Sequence, residues 1–151
     1  MKKMTANRII SIDPGDHIGI VYCTYSIDNP MSVKGTTFEG SDRNMKLWDL
    51  LNDFKPDVII FEQFALRPGM ATKLAGNKFI TCEVIGVIKY VCTELNIPIV
   101  EQAPSVKKYF GGFKSDWEQV KQTPGFKLTE HVKDAYQHLK YFERNGLKKF
   151  E

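Results

Sequence analysis

The stretch RIISIDPGDHIGIVYC, residues 8–23, contains two apolar runs separated by a short polar turn. Ile9, Ile10 and Ile12 form a run typical of a buried strand, and a second run begins at Ile18. The intervening Asp-Pro-Gly-Asp favours a turn. The pattern predicts a β-hairpin that carries a carboxylate, Asp13, at the tip of its first strand.

The composition predicts one globular domain over residues 1–151. The chain is 42% hydrophobic and 26% charged, which argues against disorder. The start MKKMTANRIISI has no apolar stretch of signal-peptide length, and no run is long enough for a membrane span. We therefore expect a cytoplasmic protein without a membrane partner. Cys23, Cys82 and Cys92 form no CxxC pair, so we expect reduced core cysteines.

The segments that follow the hairpin predict a third strand and then a helix. SVKGTTFEG is typical of an edge strand. DRNMKLWDLLNDF has apolar residues at helical spacing and Ser41 or Asp42 as its N-cap. The spaced apolar residues are Met45, Trp48, Leu51 and Phe54.

The second half of the chain alternates strands and helices. DVIIFEQF and IPIVEQAP predict strands, and residues 72–96 predict a long helix with two apolar sides. SVKKYF predicts a short helix capped by Ser105, and residues 111–126 are broken by Gly-Gly and Pro-Gly. LTEHVKDAYQHLKYF predicts a last helix with Thr129 as its N-cap. The order βββ-α-β-α-β-α predicts an α/β fold with a five-stranded mixed sheet, in which three antiparallel strands precede parallel ones.

Acidic residues lie where these elements end. Asp13 and Glu62 each close an apolar strand, and His131 and Asp134 share a face of the last helix. Taken separately, Asp13 could be a turn cap and Glu62 could pair with a lysine. His131 and Asp134 could simply lie on a solvated helix face. Together they belong to elements that meet at one end of such a sheet, where ligands bind.

Carboxylates held close together require a compensating positive charge. Their oxygen atoms favour Mg²⁺ or Mn²⁺, and a pair of such ions supports phosphodiester hydrolysis. We expect Asp13 to bridge two ions, Glu62 and Asp134 each to hold one side, and His131 to bind an ion or assist proton transfer.

Four segments resemble the RuvC-type Holliday-junction resolvases. IDPGDHIGIVY resembles the first motif of that family, with Asp13, Gly15 and Gly19 as D-x-G-x-x-x-G, and DVIIFEQF resembles the second. QAPSVKKYFGG is similar to the A-P-x-x-V-K segment, and HVKDA is similar to the closing motif. The segments occur in the family's order over nearly the whole chain. The short length and the unusual sequence between the motifs fit a divergent, phage-type member.

The resemblance implies an RNase H-like fold and a homodimer that nicks four-way DNA junctions with metal ions, in DNA recombination and repair. It places Asp13, Glu62, His131 and Asp134 on the catalytic, metal-binding tetrad, and Lys107 on a basic residue near the active site. The long helix from Thr72 is the implied dimer element. The chain departs from the family at Ala65, where an aromatic residue is common, and at Trp117, near the place of a second lysine. These departures allow cleavage of other branched DNA.

Basic and aromatic residues around the site are candidates for DNA contacts. The net charge is +3 and the pI near 8.7, but cations cluster in two segments, which suits a polyanion. The clusters could equally be solvated surface, and Phe64 could be a core residue instead of stacking on a base. The candidate DNA-binding residues are Phe64, Arg67, Lys73, Lys78, Lys108 and Lys114.

Two other functions remain open from the sequence. The chain could be another RNase H-like nuclease, which cuts RNA–DNA hybrids or acts as an exonuclease. It could also be a junction-binding protein without catalysis, although such a protein has no need of clustered carboxylates. An actin-like ATP-binding fold also begins with Asp-x-Gly, but 151 residues are too few for its two domains.

Overall fold

The computed structural model describes residues 8–24, 32–64 and 79–146. Five strands form one sheet in the order β3-β2-β1-β4-β5. The strands are β1 (Arg8–Asp13), β2 (Ile18–Thr24), β3 (Ser32–Phe38), β4 (Val58–Glu62) and β5 (Ile99–Gln102). The antiparallel pairs are β1–β2 and β2–β3, and the parallel pairs are β1–β4 and β4–β5. The predicted mixed sheet is confirmed.

Helices cover both faces of this sheet. They are α1 (Arg43–Phe54), α2 (Ile80–Leu95), a 3-10 helix (Pro104–Phe113), α3 (Lys114–Val120) and α4 (Glu130–Tyr141), which continues into a π-helical turn (Phe142–Gly146). In the described ranges, no helix is long and apolar enough to cross a membrane. Residues 72–78 of the predicted long helix lie outside the described residues.

Alternation along the central strand divides the core between the two faces. Ile9 packs in a cluster with Val132 and Leu139 of α4, whereas Ile10 and Ile12 pack in a cluster with residues of α1 and α2. All of these side chains are fully buried. The strand therefore separates α4 from the other two long helices, because successive side chains point to opposite faces of a sheet.

The helix predicted for DRNMKLWDLLNDF is confirmed as α1, which buries Leu47 and Leu51 and leaves Met45 and Trp48 exposed. Two local predictions differ from the structure. The 3-10 helix begins one residue before Ser105, with Ala103 as its N-cap and a proline in its first turn, where proline is well tolerated. Cys23 and Cys92 are buried as expected, but Cys82 is exposed.

The broken stretch before the last helix contains an unpredicted element, α3. Trp117 is its buried residue, and its ring lies 5.1 Å from the ring of Tyr136 on α4. The indole anchors this short helix to the core. Trp117 therefore has a structural role, near the place where the resemblance to RuvC-type resolvases implies a second lysine.

The start of α4 is fixed by its cap and by a glycine on the sheet. The Thr129 hydroxyl accepts a hydrogen bond from the Val132 backbone N–H, as predicted for an N-cap. A Cβ atom on Gly19 would overlap the carbonyl group of His131 in the first turn of α4. At Gly15 a Cβ would make ordinary contacts, 3.5 Å from the nearest atom. Gly19, but not Gly15, is therefore required by the close approach of α4 to the sheet.

Replacement of Gly19 by alanine is expected to destabilise the protein. The added methyl group must push the backbone of α4 away from β2, and overpacking of this kind typically costs about 1–3 kcal/mol. Gly86→Ala is the matched control, since nothing lies within 4 Å of the added Cβ on α2. In a helix this change should stabilise by about 0.5–1 kcal/mol. Urea unfolding of both variants measures the difference, and equal effects would contradict the close approach.

Candidate active site

Two neighbouring parallel strands deliver Asp13 and Glu62 to the same end of the sheet. Ile12 of β1 is in register with Phe61 of β4, so the residues that follow them are neighbours. Both carboxylates are largely buried, with 15% and 18% of their side chains exposed. The convergence predicted from the strand ends is confirmed.

The first turns of α4 bring His131 and Asp134 to this end. Nδ1 of His131 lies 3.2 Å from Oδ2 of Asp13. The His131 ring stacks on the ring of His17, with the centroids 5.3 Å apart, and Nε2 of His17 lies 2.8 Å from Oε2 of Glu39. His17 was not predicted, and it fixes the plane in which the exposed ring of His131 lies.

Lys107, on the 3-10 helix, joins two of the carboxylates. Its Nζ lies 2.9 Å from Oε2 of Glu62 and 3.4 Å from Oδ2 of Asp134. The same residue was expected near the active site on the basis of the resemblance alone. Among the described residues, the structure thus brings together all five predicted catalytic residues.

Burial and the neighbouring charged groups together shift the pKa values of the site. Burial, followed by the charges of Asp134 and Glu62, raises the pKa of Asp13 to about 6, although the bond to His131 acts in the opposite direction. Burial alone would raise the pKa of Glu62, but the hydrogen bonds from His138 and Lys107 lower it. Burial alone would lower the pKa of Lys107, but the bond to Glu62 and the nearby carboxylates raise it. Lys107 is therefore a stable ammonium ion.

His138 and Gln102 were not predicted as site residues. Nε2 of His138 lies 2.9 Å from Oε2 of Glu62, and Nδ1 lies 2.7 Å from Oε1 of Gln102. His138 is fully buried and Gln102 is 6% exposed. The sequence does place His138 one helical turn after Asp134 on the same face, but nothing in it indicates that β5 supplies the second partner.

The donor groups fit a divalent cation in their chemistry. In the described part of the chain, no three side chains of His, Cys, Asp or Glu lie close enough together to hold one metal ion. Lys107 bonds to two of the carboxylates instead. The charges of Asp134 and Glu62 nevertheless add to burial in raising the pKa of Asp13, so the carboxylates lie close enough to interact. Carboxylate oxygens are the donors that Mg²⁺ and Mn²⁺ prefer.

The described candidate DNA-binding residues differ in their exposure and in their distance along the chain from the carboxylates. Phe64 is partly exposed two residues beyond Glu62, and Lys108 and Lys114 are exposed. Lys108 lies 5.2 Å above the ring of Tyr109 and lines a cavity of about 730 Å³ along β5, apart from the carboxylates. Arg67, Lys73 and Lys78 lie outside the described residues.

The raised pKa of Asp13 predicts that Asp13→Asn stabilises the metal-free protein at neutral pH. The folded protein keeps the Asp13 proton up to about pH 6, whereas the unfolded chain loses it near the ordinary aspartate pKa of 3.8. As the pH rises between these two values, the free energy of unfolding of the wild type therefore falls relative to that of Asp13→Asn. Above pH 6 the difference stays constant. Each pKa unit is worth about 1.4 kcal/mol, so a gain of about 2–3 kcal/mol is expected at pH 7.

Chemical unfolding in EDTA at pH 4 and pH 7 measures this gain. Asp16→Asn is the control, because Asp16 lies in the adjacent turn with 67% of its side chain exposed and pairs with Arg43 at 3.5 Å. A gain that is the same at both pH values, or is matched by Asp16→Asn, would contradict the assignment to Asp13.

Solved structures of junction resolvases are similar to this chain. Thermus thermophilus RuvC in complex with a Holliday-junction substrate has a TM-score of 0.63 and 19% identity, over 93% of this chain and 97% of that chain. Fowlpox virus resolvase in complex with substrate Holliday-junction DNA has a TM-score of 0.61 and 15% identity, over 90% and 99%. The yeast mitochondrial Holliday-junction resolvase Ydc2 has a TM-score of 0.54 and 15% identity, over 97% and 85%.

No protein-family model matches the chain, and no curated protein matches it in sequence. The structural similarity extends over most of each compared chain, so it concerns the arrangement of the whole sheet and its helices. The chain has the fold of the RuvC-type Holliday-junction resolvases, an RNase H-like five-stranded mixed sheet flanked by helices.

Proposed function

We propose that this protein is a metal-dependent endonuclease that resolves four-way DNA junctions by paired nicking and also cuts other branched DNA. The observation that carries the proposal is the convergence of Asp13, Glu62 and Asp134 on Lys107 and His131. Resolvases of the same fold provide independent support. Such an enzyme acts in DNA recombination and repair, and we place it in the cytoplasm.

We infer that Asp13, Glu62, His131 and Asp134 hold two Mg²⁺ ions, which Mn²⁺ can replace. Hard oxygen ligands support this choice of metal. When bound, such a pair activates the attacking water and stabilises the leaving 3′ oxygen of the cleaved phosphodiester. The negative charge at Asp13 is the feature of this chain that favours cation binding.

The side chains of the site contribute charge and proton exchange. The ammonium group of Lys107 lies beside Glu62 and Asp134 and supplies positive charge where a phosphate would approach. His131 uses Nδ1 toward Asp13 and is 43% exposed, so Nε2 is free to exchange a proton with water. Phe64, Lys108 and Lys114 would contact the DNA, as would Arg67, Lys73 and Lys78.

We propose a homodimer, because paired nicking across a junction takes two active sites. The outer surface of α1 and α2 supports this assembly. Trp48 stacks on Tyr90 at a centroid distance of 5.6 Å, although both rings are exposed. Phe79, at the start of α2, is 50% exposed. Exposed aromatic groups of this kind are typical of protein–protein interfaces.

Cleavage of a labelled, immobile four-way junction in Mg²⁺ or Mn²⁺ tests the proposed function. A linear duplex and an RNA–DNA hybrid serve as parallel substrates. Symmetrically placed nicks in the junction are expected. Cutting of the hybrid alone would identify another RNase H-like nuclease, degradation from ends would identify an exonuclease, and tight junction binding without cutting would identify a non-catalytic binder.

Asp13→Asn is expected to abolish cleavage and to retain or strengthen junction binding. The change removes a metal-binding carboxylate and also removes a negative charge that repels phosphate. Asp16→Asn, in the same turn, should cleave like the wild type. Single-turnover cleavage and fluorescence anisotropy without divalent ions measure the two properties, and retained cleavage in Asp13→Asn would rule out the proposed site.

Lys107→Ala and Lys108→Ala remove the same charge from adjacent positions. Only Lys107 contacts the carboxylates, so its loss should lower the single-turnover rate by about 100- to 1,000-fold. Loss of Lys108 should weaken DNA binding without a change in the rate at saturating protein, and should reduce the salt dependence of affinity. Equal rates for the two variants at saturation would show that Lys107 acts only in binding.

A further inference from the structure

We propose that His138 is a positioning residue for Glu62, and that Gln102 holds His138 in place. This proposal rests on the function proposed above and adds two residues to its active site. Neither residue touches the substrate in this arrangement. Their effect is transmitted through the orientation of the Glu62 carboxylate.

The surroundings of His138 show that its ring is held by polar contacts in the interior. The side chain is fully buried, and both ring nitrogens have partners, at 2.9 Å on Glu62 and 2.7 Å on Gln102. An imidazole without these partners would be costly to bury. Leu139, the next residue of α4, is just as buried and is purely apolar, so burial on this helix does not by itself require a polar side chain.

The Gln102 amide can pair with either form of the His138 ring. With its NH₂ toward Nδ1, a neutral ring donates Nε2–H to the carboxylate of Glu62; with its oxygen toward Nδ1, both ring nitrogens carry hydrogen and Nε2–H makes the same bond. The backbone of Gln102 is itself fixed, because Gln102 is in register with Glu62 and its carbonyl accepts from the Gln63 N–H at 2.9 Å. The glutamine and the glutamate therefore start from adjacent positions on paired strands.

The two carboxylate oxygens of Glu62 differ in their contacts. His138 and Lys107 both bind Oε2. Among the described residues, Oε1 has no such partner, so it is the oxygen left for a ligand. Without His138, the carboxylate would be held by Lys107 alone, which also binds Asp134. The Glu62 side chain would then rotate more freely, and Oε1 would lose its defined direction.

His138→Leu tests the proposal, because leucine fills most of the space and cannot bond to Glu62. The single-turnover rate on the junction is expected to fall by about 10- to 100-fold, the usual effect of removing a partner that orients a metal ligand. The Mg²⁺ concentration at half-maximal rate should rise, while junction affinity without divalent ions should not change. Mn²⁺ affinity, measured by electron paramagnetic resonance, should fall as well.

Two further variants separate positioning from folding. His138→Gln retains a donor for Glu62 and should recover much of the rate and the Mn²⁺ affinity. Gln102→Leu should shift both in the same direction as His138→Leu, but less. Leu139→Ala is the matched control, since it removes buried volume from α4 and should lower the melting temperature without altering Mn²⁺ affinity or the Mg²⁺ midpoint.

The outcomes distinguish this proposal from the proposed function. Wild-type protein that binds Mn²⁺ but cuts no junction would overturn the proposed function. The positioning role would then be decided by comparing the Mn²⁺ affinities of the wild type and His138→Leu. Equal Mn²⁺ affinity in the wild type and folded His138→Leu would overturn the positioning role. The same conclusion would follow if Leu139→Ala weakened Mn²⁺ binding as much as His138→Leu does, or if the wild type bound no Mn²⁺.

Discussion

Repulsion among Asp13, Glu62 and Asp134 is the constraint around which the end of the sheet is organised. Each carboxylate has its own partner. His131 contacts Asp13, His138 and Lys107 contact Glu62, and Lys107 also reaches Asp134. The compensation is uneven, because the pKa of Glu62 is lowered while that of Asp13 is raised to about 6. Asp13, at the end of the central strand, is therefore the carboxylate whose charge is least well compensated by its surroundings.

Backbone geometry places these groups before their side chains interact. Parallel pairing of β1 with β4 puts Asp13 beside Glu62, and the close approach of α4 at Gly19 puts His131 and Asp134 over the same edge. The same face of α4 is exposed to solvent at its start and buried in the interior one turn later. Its first turns present His131 and Asp134 toward solvent, and the next turn buries His138 between the sheet and the helix. A shift of α4 would therefore change exposed and buried parts of the site together.

The sequence predicted the features that depend on local pattern. Strand alternation and strand order placed Asp13 and Glu62 together, and the Thr129 cap fixed the start of α4. Features that depend on a tertiary contact could not be predicted. The apolar spacing gave the helix α1, but not that Leu47, rather than Met45 or Trp48, is buried. The helix around Trp117 depends on packing against Tyr136, and the role of His138 depends on a glutamine that is distant in sequence.

The arrangement also explains how a site with excess negative charge is compatible with folding in the absence of bound ions. Burial of an ionised Asp13 opposes folding at neutral pH, as the burial of a charge generally does. Lys107 reduces that cost, because it is tied to Glu62 and Asp134 by contacts within the chain. His138 acts on a different carboxylate, since it stabilises the ionised form of Glu62 from the interior. The site therefore combines the ammonium group of Lys107 on its open side with the buried imidazole of His138 behind it. Replacing either by an apolar group would leave the same carboxylates in place but with less to hold their orientation.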